Sequence, residues 1–141
     1  MDDKENYAEN IIKELAILKS NKLNSSESII YFSGILYSII LSKSMFKRNK
    51  ELKEFLYVIF LKPFGMDQYR EYLYKSRTLL GSRVSRQILE NFSYTDTIKS
   101  SNIISKYIKE KYNLKNNKKI SKNSKNNNLA DELSEWIRNE K

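Results

Sequence analysis

At 141 residues and 40% apolar content, the chain can build one modest core and needs no second domain. It has no Cys and no His, which excludes thiol nucleophiles, disulfides, imidazole acid/base chemistry and nearly every zinc, haem or copper site, so we expect no catalysis, no cofactor and no metal. The formal net charge is +9, the opening MDDKEN lacks the basic-then-apolar order of a signal peptide, and the longest uncharged run, 28–42, is shorter than the ~20 residues that span a bilayer; the expectation is a cytoplasmic protein with no membrane span.

In chain order, Tyr7, Ile11, Leu15 and Leu18 recur at the helical period and predict a first helix over 4–19. After a polar turn, Ser26 or Glu27 opens a second helix. Its Ile29, Ile30, Phe32, Ile35, Leu36, Ile39, Ile40 and Leu41 leave no wet face, which places it at the centre of a bundle. On it Gly34, Ser38 and Ser42 fall four apart, a small-residue stripe that reads as a packing groove.

Asn49 caps the third predicted helix, which buries Leu52, Phe55, Leu56, Ile59 and Phe60 and stops at Lys62-Pro63 because proline disfavours helix in the residue before it. Asp67 caps the fourth, over 67–92, with an inward row of Leu73, Arg77, Gly81, Val84 and Ile88. The chain loosens at 93–96, and a fifth helix over 102–112 turns Ile103, Ile104, Tyr107 and Ile108 inward. Residues 94–112 also fit a short helix, a Ser100-Ser101 turn and a second helix, the outline of a helix-turn-helix reader.

Four of the six arginines, Arg70, Arg77, Arg83 and Arg86, fall on the fourth predicted helix. Arginine's planar fork suits carboxylate or phosphate better than the mobile point charge of lysine, so the cluster marks a candidate anion-binding face. Lys75, Arg83 and Arg86 form its outer stripe, and Arg86 with Glu90 is also an i, i+4 pair. Arg77 lies inside the apolar row. A buried guanidinium must be paired, and Glu51, Glu54 or Glu71 are the candidate partners. Gly81 on the same row would allow close docking against Gly34 and Ser38.

Residues 109–127 hold seven lysines against one glutamate, so most of the excess charge sits near the carboxy terminus. The stretch 115–128 (KNNKKISKNSKNNN) has one apolar residue and is expected to be disordered, because it cannot bury enough surface to offset its ordering entropy. Beyond it Leu129, Leu133, Trp136 and Ile137 share a helical face.

The expected fold is therefore all-α: one small bundle of about five helices at 1–114, the basic linker at 115–128, and a short amphipathic helix at 129–141. The expected function is non-catalytic nucleic-acid binding in an accessory or regulatory role, with Lys75, Arg83, Arg86, Lys106, Lys109, Lys118 and Lys119 on phosphates. The alternative is a helical protein-interaction module, an immunity factor, inhibitor or assembly adaptor, that holds a protein partner through Arg77, Leu133, Trp136 and Ile137.

Overall fold

The computed structural model describes residues 3–114, and side chains from Asn6 onward. Among these residues the fold is all-helical, without strands. The chain divides into a unit Met1–Ile108, described below, and a unit Lys109–Lys141. The linker expected at 115–128 and the helix expected at 129–141 lie outside the described residues, as do Lys118, Lys119, Leu133, Trp136 and Ile137.

Helix α1 (Asp3–Ile17) buries Ile11 and Leu15, with Leu18 just beyond it, as the helical period predicts, but Ala8 takes the innermost place at the start of the row and Tyr7 is only half-buried. It ends in tighter i to i−3 bonds, and Asn21 turns the chain at φ 66°, a left-handed conformation that Asn tolerates better than most residues. Helix α2 (Ser25–Leu41) starts one residue earlier than the sequence suggests, because Asn24 is its cap. The Asn24 side chain accepts from the Glu27 amide at 2.8 Å while Glu27 accepts from the Asn24 amide at 3.0 Å.

Two expectations for α2 are corrected. It buries Phe32, Ile35, Leu36, Ile39 and Ile40, yet it is not enclosed: Ile30 is 62% exposed and Leu41 41%. The small-residue stripe does not pack against another helix either, since Gly34 and Ser38 are exposed and a Cβ at Gly34 would meet nothing within 4 Å. An all-apolar helix needs only enough cover to bury its largest side chains, and here the helices beside it leave one stripe open.

Helix α3 (Asn49–Leu56) is preceded by Arg48 at the cap position, so Asn49 is its first residue and not its cap. A wider π turn, Tyr57–Leu61, and a 3-10 turn, Lys62–Phe64, carry the apolar row onward. The stop comes later than Lys62-Pro63. Lys62 keeps right-handed helical angles, and the chain is terminated by Gly65 at φ 68°, with its amide on the Lys62 carbonyl at 3.1 Å and the Met66 amide on the Leu61 carbonyl at 2.8 Å. This is a glycine-based C-terminal cap, in which the left-handed residue satisfies carbonyls that the helix leaves free.

The long helix expected over 67–92 is shorter. Residues 67–70 are irregular, Glu71–Lys75 form a 3-10 turn, and α4 (Arg77–Asn91) begins at Ser76, whose hydroxyl accepts from the Leu79 amide at 3.2 Å. Arg70 and Lys75 therefore lie before α4, not on it. Helix α5 (Tyr94–Lys111) is continuous through the stretch read as loose and through the Ser100-Ser101 turn, which overturns the helix-turn-helix reading. Ser93 and Asp96 bond each other's amides at 3.0 and 3.1 Å and start the helix there. Ser100 and Ser101 are fully buried, small enough to let neighbouring elements close in.

The core centres on aromatic side chains from every part of the unit after α1. Phe46 and Phe55 meet at 4.6 Å between ring centroids, Phe60 and Phe92 at 5.4 Å, and Phe64 and Phe92 at 4.9 Å. Helices α2 and α4 run antiparallel: Arg77 reaches the α2 carboxy end, Gly81 lies against Tyr37, and Phe92 stacks on Phe32 at 6.2 Å. No helix among the described residues is long and apolar enough to cross a membrane.

Candidate functional site

Arg77 opens α4 and points inward, at 9% exposure. Its partner is not a carboxylate. One terminal nitrogen, Nη1, donates to the carbonyls of Ile40 (3.2 Å) and Ser42 (3.1 Å), the other donates to the Phe46 carbonyl, and Nε donates to Asn49 Oδ1 at 2.9 Å. Asn49 passes the bond on, its amide donating to the Tyr74 carbonyl at 2.7 Å. Of the carboxylates expected to pair with Arg77, Glu71 instead meets Lys53 at 2.5 Å and Glu51 accepts from the Arg48 amide. Burial lowers the Arg77 pKa and the nearby Glu51 charge opposes that, but the guanidinium stays charged. The arrangement is a clamp on the link between α2 and α3, with most of its donors taken up inside the protein.

The outer basic stripe comes together only in part. Arg83 and Arg86 are exposed one turn apart on α4, and Arg86 is held by Glu90 through Nε and Oε2 at 3.1 Å. Lys75 is exposed on the preceding 3-10 turn, and Lys106 is exposed on α5. Lys109 belongs to the second unit. A surface pair such as Arg86 with Glu90 is worth little in stability, but it removes one net positive charge from the stripe. Among the described residues no three carboxylates converge to hold a metal ion.

Beside Arg83 lies a tyrosine cluster. Tyr69 is half-buried and donates to Gln87 Oε1 at 2.6 Å, Tyr74 is buried and donates to Gln68 Oε1 at 2.8 Å, and Tyr72 alone is broadly exposed. Burial, and then the neighbouring Tyr74, push the Tyr69 phenol far above the usual value of 10.0, while Arg83 pulls it partly back. Tyr74 and Tyr107 are also raised, both chiefly by burial. Raised phenols mean that the folded state holds protons which the unfolded chain gives up near pH 10. Folding stability should thus be level up to about pH 10 and fall as pH rises beyond it. Urea unfolding between about pH 8 and 11.5 checks this, and stability that stays level to about pH 11 would contradict the burial of these hydroxyls.

The open side of α2 is what sequence reasoning missed. Two shallow grooves flank it, with Gly34 in both. The groove toward α4, about 530 Å³, is lined by Tyr37, Ser82, Ser85, Arg86 and Leu89; the groove toward α1, about 540 Å³, is lined by Tyr7, Glu14, Ile30 and Tyr31 among others. Tyr7 bonds Ser38 at 2.8 Å and Tyr31 donates to Glu14, so the α1 side is partly bridged by polar side chains. On the α4 side small residues, Gly34, Ser82 and Ser85, sit among Tyr37 and the paired Arg86 and Glu90, and Leu89 stands 53% exposed at the edge. Ile30, Gly34, Tyr37, Ser38 and Leu41 follow one helical stripe, so spacing could have shown that these residues share a face but not that it is uncovered. No family model, curated protein or solved structure matches this chain.

Proposed function

We propose that the chain is a non-catalytic helical protein-interaction module whose docking surface is the outer face of α2 and α4. The supporting observation is the exposure of Ile30, Leu41, Leu79 and Leu89 around the small centre formed by Gly34, Ser38 and Ser82. Exposed apolar side chains beside a shallow groove are where a partner helix gains most from burial, whereas polyanions are held by open, unpaired cations. Of the arginines that favoured phosphate binding, Arg77 is enclosed, Arg86 is paired with Glu90, and Arg70 lies off the helix.

Nucleic-acid binding is the second reading, and one observation favours it: the net charge of +9, with Arg83 exposed on α4. A single experiment separates the two. A photo-crosslinking amino acid is placed at Gly34 in one strain and at Arg83 in another, and adducts are recovered after irradiation of living cells. Protein adducts at Gly34 with none at Arg83 are the expected result. Nuclease-sensitive adducts at Arg83 alone would replace the interaction reading with nucleic-acid binding.

A further inference from the structure

Going beyond the interaction reading and independent of it, we infer that the link between α2 and α3 is a second surface of this chain, one that holds the phosphodiester backbone of nucleic acid. The segment 43–50 (KSMFKRNK) carries Lys43, Lys47, Arg48 and Lys50 and no acid. All four are exposed, as is Lys75. The ion pairs of the bundle are made elsewhere, by Lys53 with Glu71 and by Arg86 with Glu90, and none of these five cations is in an ion pair with another described residue. Open cations are what a polyanion needs. Sequence spacing points to α4 for them, where Arg86 is already engaged.

What gathers the five is the Arg77 clamp. Lys43 follows Ser42, Lys47 follows Phe46, Arg48 and Lys50 flank Asn49, and Lys75 follows Tyr74. Ser42, Phe46 and Asn49 each accept from the Arg77 guanidinium, and the Tyr74 carbonyl accepts from the Asn49 amide at 2.7 Å. Every one of the cations is thus the chain neighbour of a residue tied to one guanidinium. Consecutive Cα atoms are ~3.8 Å apart, so the five side chains start within roughly 10 Å of it. The backbone beneath them is fixed as well. Met45 and Phe46 are 3% and 0% exposed, and the Phe46 amide bonds the Ser42 carbonyl at 3.2 Å while the Met45 amide bonds the Ser42 hydroxyl at 3.2 Å. A cluster presented on a fixed backbone has less freedom to lose when a polyanion settles on it.

Charge below the surface adds to the cluster. Arg77 is bonded to carbonyl oxygens and to no carboxylate, so its buried charge raises the potential of the link above it. The acids nearby are Glu51 and Glu54 on α3 and Glu71, and Lys53 already engages Glu71. The cations outnumber them. Nucleic acid is favoured over a lipid surface because the two large apolar side chains of the link, Met45 and Phe46, point into the core and leave nothing to insert among acyl chains. The amide that suits a base edge, that of Asn49, is spent on Arg77 and Tyr74, so most of the surface is lysine, which positions phosphates rather than reads sequence.

Fluorescence anisotropy of the full chain on duplexes of about 20 random base pairs, over about 50–200 mM salt, tests this. Wild type is compared with a link variant, in which Lys43→Gln, Lys47→Gln, Arg48→Gln and Lys50→Gln are combined, and with a charge-matched control that combines Lys13→Gln, Lys19→Gln, Lys22→Gln and Lys62→Gln. All eight positions are exposed, so both variants should keep the wild-type thermal melt. The basic stretch 109–127 is present in all three proteins and cancels. The link variant should flatten the slope of log K against log salt by about 3 and bind about 10-fold or more weakly at about 100 mM salt, while the control flattens it by less than about 1. The four single link substitutions, each flattening the slope by roughly 0.9, give the same answer if the combined variant loses its fold. Wild type that does not bind at about 50 mM salt, or link and control variants weakened alike, overturns the inference. So does binding to vesicles of phosphatidylserine and phosphatidylcholine that the link variant loses while its DNA binding is unchanged, which would assign the surface to a membrane. None of these outcomes bears on the crosslink at Gly34, so the interaction reading stands or falls separately.

Discussion

Replacing Arg77 with Met should destabilise the fold by about 3–5 kcal/mol, because it takes the guanidinium donors away from backbone carbonyls and Asn49 Oδ1 inside the protein. The loss arises on the acceptor side. The buried carbonyls of Ile40 and Phe46 would lose this donor, each at a cost of about 1–3 kcal/mol reduced by whatever water enters, while the part-buried Ser42 carbonyl keeps the Phe46 amide at 3.2 Å. Arg77→Lys should recover less than half. A single ammonium on a flexible stem cannot reach three carbonyls and Asn49 Oδ1 from one position, as the planar guanidinium does. Against a typical domain stability of about 5–15 kcal/mol, the Met variant should be partly unfolded at 37 °C. Urea unfolding of the three proteins measures this directly, and a loss under about 1 kcal/mol for Arg77→Met would show that the clamp is not what holds the α2–α3 link.

Arg77 also shows how far sequence reasoning reached. Its burial was legible, because it falls on the same four-residue row as Leu73, Val84 and Ile88. Its partners were not. The sequence suggests carboxylates for a buried cation, but the acceptors here are backbone carbonyls at the open carboxy end of α2 and in the link beyond it, and no side-chain type announces those. The start of α4 was missed for a related reason. Asp67 and Ser76 are equally good capping residues, and the choice of Ser76 follows from the irregular 67–75 stretch, which seats Tyr69 and Tyr74 on Gln87 and Gln68 before the helix begins. The i, i+4 bond of Arg86 to Glu90 was read correctly because it depends on local spacing alone. The uncovered face of α2 had no such mark. The run 28–42 has no charge to mark an outward side, and its serines fall on the buried side at Ser28 and Ser33 as well as on the open side at Ser38, so the neighbours decide it, and none among the described residues covers Ile30.

Gly81→Leu should destabilise the chain by about 3 kcal/mol, at the upper end of the cost of overfilling a packed contact. A Cβ at position 81 would fall within the contact distance of two Tyr37 ring atoms, so α2 and α4 are as close as they are because this residue has no side chain. The smaller change is more diagnostic. In Gly81→Ala two effects of similar size oppose each other: the clash with Tyr37 and a gain of up to about 1 kcal/mol from replacing glycine inside a helix. The sign therefore depends on whether the half-buried ring can move out into the groove that it lines. Removing the ring makes the prediction firm. In a Tyr37→Ala background Gly81→Ala should stabilise by about 0.5–1 kcal/mol, and the difference between the two backgrounds, measured as a double-mutant cycle, is the energy of the contact. Equal effects in both backgrounds would show that Tyr37 does not rest on Gly81.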